Sequence, residues 1–109
     1  MIVVTTDTVT NHKITQMYGQ VFGVVVRSRG LGGNIVASLR SLAGGEIHEY
    51  TSLLEDSRRQ AIDRMVENAK AMGANAVVRM MFDSSEMGTV MTEIVAYGTA
   101  VTLEPEAVS

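Results

Sequence analysis

Two stretches of this chain hold residues whose types and spacing can do chemistry. The first, Arg27-Ser28-Arg29-Gly30-Leu31-Gly32-Gly33-Asn34, sets two guanidinium groups ahead of a glycine-rich turn and an Asn suited to cap a helix. Backbone amides at such a turn, joined by cations, hold anions such as phosphate or carboxylate. Ser28 alone separates Arg27 from Arg29, so both share one face of a strand that reaches that far. The expected ligand-binding set is Arg27, Arg29, Gly32, Gly33 and Asn34. It is not a nucleotide fingerprint: Ile35 stands where a third glycine is needed, and the phosphate-loop pairing of Lys with Ser or Thr is missing. A plain strand-to-helix turn with solvent-facing arginines accounts for the same residues.

The second stretch offers metal-ligand types in Glu46, His48 and Glu49. Glu46 and Glu49 share a helical face at i, i+3, whereas His48 points away from both, unlike the i, i+4 pairs of helical metal sites. Carboxylates that favour the positive end of a helix dipole explain the cluster equally well, although a ring of subunits can bring one ligand from each copy together. His12 falls in a polar loop and reads as a surface histidine. The eight methionines provide thioethers suited to Cu(I), but Met80 and Met81 are neighbours on opposite strand faces. Met65 and Met72 lie on a helix stripe, and packing explains these residues better. No nucleophile and base stand at an elbow or triad spacing, so no catalytic residue is assigned and no cofactor is named.

Composition narrows the class. A chain of 109 residues with 46% hydrophobic content makes one domain, residues 1–109. Its net charge of −3 speaks against a nucleic-acid partner. With no cysteine, thiolate chemistry, disulfides and Cys-based zinc sites are excluded. Residues 1–10 lack the basic and apolar regions of a secretory signal, and no run of about 18 apolar residues occurs. The expected localisation is cytoplasmic, with no membrane partner.

The elements that must position these residues follow from periodicity. Ile2 to Thr5 suits a short strand, and Ile14 to Arg29 a long one, with Gly19 and Gly23 where a bulge, a bend or a close approach would use them. After Gly33, the positions Ile35, Val36, Leu39, Leu42 and Ala43 form the apolar side of a short helix capped by Asn34. Ile47, Tyr50, Leu54, Ala61, Ile62, Met65, Ala69 and Met72 then trace one stripe. Gly73 is placed as a left-handed C-terminal cap. A helix from Ile47 to Met72 is roughly 39 Å long, while a domain of this size has a radius of gyration near 13 Å. It must cross the whole subunit, unless the capping box Ser52-Leu53-Leu54-Glu55 breaks it near residue 51. Two further strands cover 76–82 and 89–103, joined by a turn from Asp83 to Gly88.

The last strand alternates Val90, Ile94, Ala96 and Ala100 with Met91, Val95, Tyr97, Val101 and Leu103, so both faces of the sheet are apolar. One helix shields one face. Burying a Val or Leu side chain stabilises by about 1.5–3 kcal/mol, so five left wet would forfeit much of the ~5–15 kcal/mol stability of a domain. Self-association through the sheet is therefore expected.

Gly44-Gly45-Glu46-Ile47 with Glu49-Tyr50-Thr51, then Gly73-Ala74-Asn75-Ala76-Val77-Val78, then Tyr97-Gly98-Thr99-Ala100-Val101 resemble the YbjQ-like family, as do Thr5-Thr6 and the segment from Gly30 to Leu39. The resemblance covers nearly the whole chain. It implies an α+β subunit: a small antiparallel sheet with one long helix packed on one face. The core is β-α-β-β with a short helix after the second strand, and the subunit assembles as a ring, typically a homopentamer. The family carries a heavy-metal-binding label and no established activity. This sequence departs from the pattern at Asn34, where Asp is frequent, and at Arg79, where a small Gly is commoner. Neither the residues nor the resemblance assigns a biochemical function; the expectation is a ring-forming soluble homo-oligomer that binds a small anionic ligand or a metal ion at subunit interfaces. The alternatives are a purely structural assembly protein and an enzyme with a composite site using Thr5, Asn75, Tyr97 and Thr99.

Overall fold

The computed structural model describes residues 1–28, 48–87 and 91–107, and these hold four strands and one helix. They are β1 (Ile2–Val3), β2 (His12–Ser28), α1 (His48–Met72), β3 (Ala76–Met87) and β4 (Met91–Pro105). The sheet order is β1-β3-β4-β2. β4 is antiparallel to both β2 and β3, so β2 and β3 run in the same direction with β4 inserted between them. α1 joins them across one face as a split crossover. The three long strands are antiparallel neighbours as expected, but β1 pairs parallel with β3 and makes the sheet mixed. The reason is the path of the N-terminal segment, which starts beside β3 and crosses the opposite face to begin β2 on the far edge.

α1 runs without a break through Ser52, so the capping box there does not start a new helix. Its apolar stripe seats Ala61, Met65 and Ala69 against Val21, Val25, Val77, Ile94, Ala96 and Ala100. Two glycines permit this geometry. A Cβ on Gly23 would lie 2.0 Å from the Ala61 carbonyl oxygen and 2.4 Å from the Met65 nitrogen, so helix and strand touch at backbone distance. Gly73 sits at φ 95°. Its N–H donates to the Lys70 carbonyl at 3.0 Å, and that of Ala74 to the Ala69 carbonyl at 3.1 Å, closing the helix with the left-handed cap expected there.

Two of the long strands carry bulges. β2 shifts register between Ile14 and Gln16 and again between Met17 and Gly19, and Gly19 has φ 101°. β3 shifts between Val78 and Met81, with Arg79 at φ 52°. Glycine adopts that left-handed conformation freely and other residues rarely do, which gives the commoner Gly of the resembling family its physical reason.

The face away from α1 differs from the simple expectation of one helix and no second cover. At the end where β1 pairs, Val4 and Val9 of the N-terminal segment pack on Ala76, Val78, Val101 and Leu103. The chain thus supplies a partial lid that polar Thr6-Asp7-Thr8 concealed in the sequence. Beyond it, Phe22, Val24, Val26, Met81 and Met91 are exposed. The short helix expected after Gly33 falls outside the described residues. Among the described residues no helix is long and apolar enough to cross a membrane.

Candidate functional site

Arg27 stands near the end of β2, and its guanidinium serves the fold. Its Nη2 pairs with the Asp56 carboxylate at 2.9 Å, while its Nε donates to the Ser57 hydroxyl at 3.0 Å. Ser57 is buried on the stripe of α1 and donates in turn to the Leu53 carbonyl at 2.9 Å, and Gln60 donates to Asp56 at 3.0 Å. The cluster clasps β2 to α1 with every buried polar atom satisfied, which a buried hydroxyl requires. The other members of the expected anion set, Arg29, Gly32, Gly33 and Asn34, lie outside the described residues.

Of the candidate metal ligands, Glu46 lies outside the described residues. His48 and Glu49 are placed in the first turn of α1 by their backbone alone. Among the described residues no group of three His, Asp or Glu side chains converges as a metal centre needs. The His12 Nδ1 lies 2.8 Å from the Thr10 carbonyl, a local turn contact. Met80 packs toward the helix-side core and Met81 is exposed, as their adjacency requires.

The polar residues proposed for a composite site separate. Asn75 is a clamp: its Nδ2 donates to the Leu103 carbonyl at 3.0 Å, and its Oδ1 accepts from the Leu103 N–H at 2.8 Å. Those bonds extend the β3–β4 ladder past the start of β3. Tyr97 and Thr99 instead line an open hollow on the far face.

That hollow has a volume of about 660 Å³. Cross-strand register builds it in rows. Gln20 lies beside Thr99; Phe22 beside Tyr97 and Met81; Val24 beside Val95 and Asp83; Val26 beside Glu93 and Ser85. The Phe22 and Tyr97 rings tilt at 34° with centroids 6.4 Å apart, and the Tyr97 hydroxyl lies 3.9 Å from the Met81 sulfur. An apolar floor therefore separates a polar end, Gln20, Thr99 and Arg79, from an acidic end, Asp83 and Glu93. The bulge at Arg79 brings its side chain to this hollow, while its backbone N–H donates to the Thr6 carbonyl at 2.9 Å. The sequence marks Arg79 only as a departure from the family pattern. The signal that could have found its role was a charged residue inside Val77-Val78-Arg79-Met80-Met81, where alternation alone would place an apolar one.

Beside the hollow, β2 is an edge strand, and α1 blunts part of that edge. Arg64 donates to the Val24 carbonyl at 2.6 Å and Asn68 to the Phe22 carbonyl at 2.7 Å. Occupied carbonyls resist pairing with a further strand.

Residues 1–104 match the family model YbjQ_1, described as "Putative heavy-metal-binding". The chain belongs to this family. UPF0145 protein BRADO6695 of Bradyrhizobium sp. (strain ORS 278) is 66% identical over 105 residues, covering 96% of this chain and 95% of that protein. A UPF0145 protein of Methanoregula boonei is 63% identical, covering 97% and 88%. A crystal structure of a DUF74-family protein of unknown function from Pediococcus pentosaceus superposes with a TM-score of 0.62 at 13% identity. It covers 95% of this chain and 98% of its own. That likeness is one of fold. None of these YbjQ and UPF0145 relatives brings an activity, and the biochemical function of the family member described here is unknown.

Proposed function

We propose that this YbjQ-family chain is the subunit of a cytoplasmic homo-oligomer, a ring as the family resemblance implies, whose copies meet on the open part of the far sheet face and hold a small ligand there. The observation that carries this reading is the contrast within that face. Val4 and Val9 cover one end, while Phe22, Val24, Val26, Met81 and Met91 stay exposed at the other and along β2. Exposed apolar patches of that extent mark interaction sites. Shape supports it as well: the radius of gyration is 17.7 Å, against about 13 Å for a compact chain of this length.

The description of the family model supports a second reading, metal binding. No three His, Asp or Glu donors converge among the described residues, so the reading rests on Glu46, His48 and Glu49, drawn from one copy or from several. Native mass spectrometry reports copy number and retained ligand or metal together. The expected result is an oligomer for the wild type, and dissociation to folded monomers for Phe22→Asp, which places a charge on the face without touching the helix-side core. A folded wild-type monomer at micromolar concentration would refute the assembly. An ion retained by the wild type and lost in His48→Ala would support the metal reading instead.

A further inference from the structure

The two ends of the far-face hollow carry opposite charge, and neither end is neutralised among the described residues. Arg79 makes no ion pair among the described residues, and neither do Asp83 and Glu93. This sets Arg79 apart from Arg27, whose charge Asp56 absorbs. Arg79 also occupies a backbone position, φ 52°, that glycine would enter freely and that an L side chain enters only at a cost. A strained cation left unpaired at the mouth of an apolar hollow has the arrangement of an anion anchor: apolar walls supply contact area, and one charged group fixes orientation.

We propose that the hollow binds a small acid with an apolar body and a cationic far end, of the ω-aminocarboxylate class. The carboxylate meets Arg79, with Gln20 and Thr99 beside it, and the ammonium reaches Asp83 and Glu93. The apolar body lies on Phe22, Met81, Val95 and Tyr97. Four residues along β4 separate the Thr99 row from the Val95 row, about 13 Å, and the charged side chains reach inward from both ends. An eight-carbon chain suits that gap. The carboxylates at the far end set selectivity, since they repel a second acidic group and attract an amine. This inference rests on the seam reading only for the second wall that another copy would provide; the charged ends belong to one chain.

Isothermal titration of the wild-type protein with 8-aminooctanoate, octanoate and octanedioate tests it. The expected order of affinity is 8-aminooctanoate first, octanoate second and octanedioate last. Arg79→Gly should weaken both monoacids about tenfold or more, as loss of a charged hydrogen bond does, with circular dichroism and native mass unchanged. Asp83→Asn combined with Glu93→Gln should bring 8-aminooctanoate down to the affinity of octanoate. Equal binding by Arg79→Gly, octanedioate binding as well as 8-aminooctanoate, or no heat from any probe at millimolar concentration would each overturn the assignment. An intact oligomer that binds no probe refutes the ligand and leaves the assembly. A monomer that binds them in the expected order refutes the assembly and leaves the ligand.

Discussion

Neighbouring residues of β2 have opposite fates. Val21 and Val25 are 2% and 3% exposed beneath α1, whereas Phe22 and Val24 on the other face are 47% and 41% exposed. The side chains are alike in chemistry; the difference is what each face meets. On the helix side the chain uses residues with little or no side chain, Gly23, Ala61, Ala69, Ala96 and Ala100, so that backbones approach closely and the contact completes itself. On the far side it uses large ones, Phe22, Met81 and Tyr97, and adds an unpaired arginine. A face whose small residues let the backbones close around Met65, Val21 and Val25 is matched to one partner within the chain. A face built from large exposed residues with charges at its ends is suited to a partner outside it.

The sharpest way to break this contrast is to enlarge the closest contact. Gly23→Val would drive a side chain into the Ala61 and Met65 backbone, which cannot rotate aside. A loss of at least about 3 kcal/mol is expected, since overpacking against fixed atoms falls at the severe end of its range. Chemical denaturation measures it, and a near-neutral result would show that α1 is free to ride up from the sheet. A paired truncation comes next. Met65→Ala empties a fully buried site and should cost about 2–5 kcal/mol. Met81→Ala, at a residue 54% exposed, should change folding stability by under about 0.5 kcal/mol in a Phe22→Asp background, where assembly does not contribute, and should weaken the proposed oligomer in the wild-type background. Equal effects on folding would erase the distinction between the faces.

A smaller loss is expected where the far face is closed by the chain itself. Asn75→Ala removes both side-chain bonds to Leu103 and strands an N–H and a carbonyl at a buried residue, a cost of about 2 kcal/mol. Amide exchange at Leu103 should accelerate together with that loss. Protection that survived the substitution would mean that Val4 and Val9 alone hold this end.

The elements were legible because their signals are local. The stripe from Leu54 to Ala69 has helical spacing, Gly73 marks the stop, and strict alternation marks β4, so a helix crossing the sheet could be read from side-chain order alone. Gly19 and Gly23 were likewise legible as a bulge or close approach, although only the fold assigns one role to each. What could not be read depends on contacts distant in sequence. Nothing about Val4 and Val9 says that they cover Val101 and Leu103, and the parallel pairing of β1 follows from that crossing path. Asn75 reads in the sequence as a polar site residue, but its work is to complete the ladder with Leu103, 28 positions away. The candidate site fared similarly. Two arginines near a glycine-rich turn suggested an anion, yet Arg27 is held by Asp56 and Ser57, because residues 30 positions apart meet where α1 returns over β2. Arg79 was visible as an anomaly, but its meaning lay in a dihedral angle.

That angle gives the finest test of the two faces. Arg79→Gly removes the left-handed strain, a gain of about 1–2 kcal/mol, largely offset because glycine loses more freedom on folding, about 0.5–1 kcal/mol. Its measurement belongs in a Phe22→Asp background, so that assembly does not feed into folding stability. Stability equal to or slightly above that of the Phe22→Asp parent is expected, because the guanidinium makes no ion pair among the described residues. If folding stability instead falls by more than about 1 kcal/mol, Arg79 supports the fold as Arg27 does. The contrast between a face completed within the chain and one waiting for a partner would then lose its best-defined residue. If stability holds while recognition at the hollow fails, the strain is the signature of a side chain kept for what lies outside the subunit.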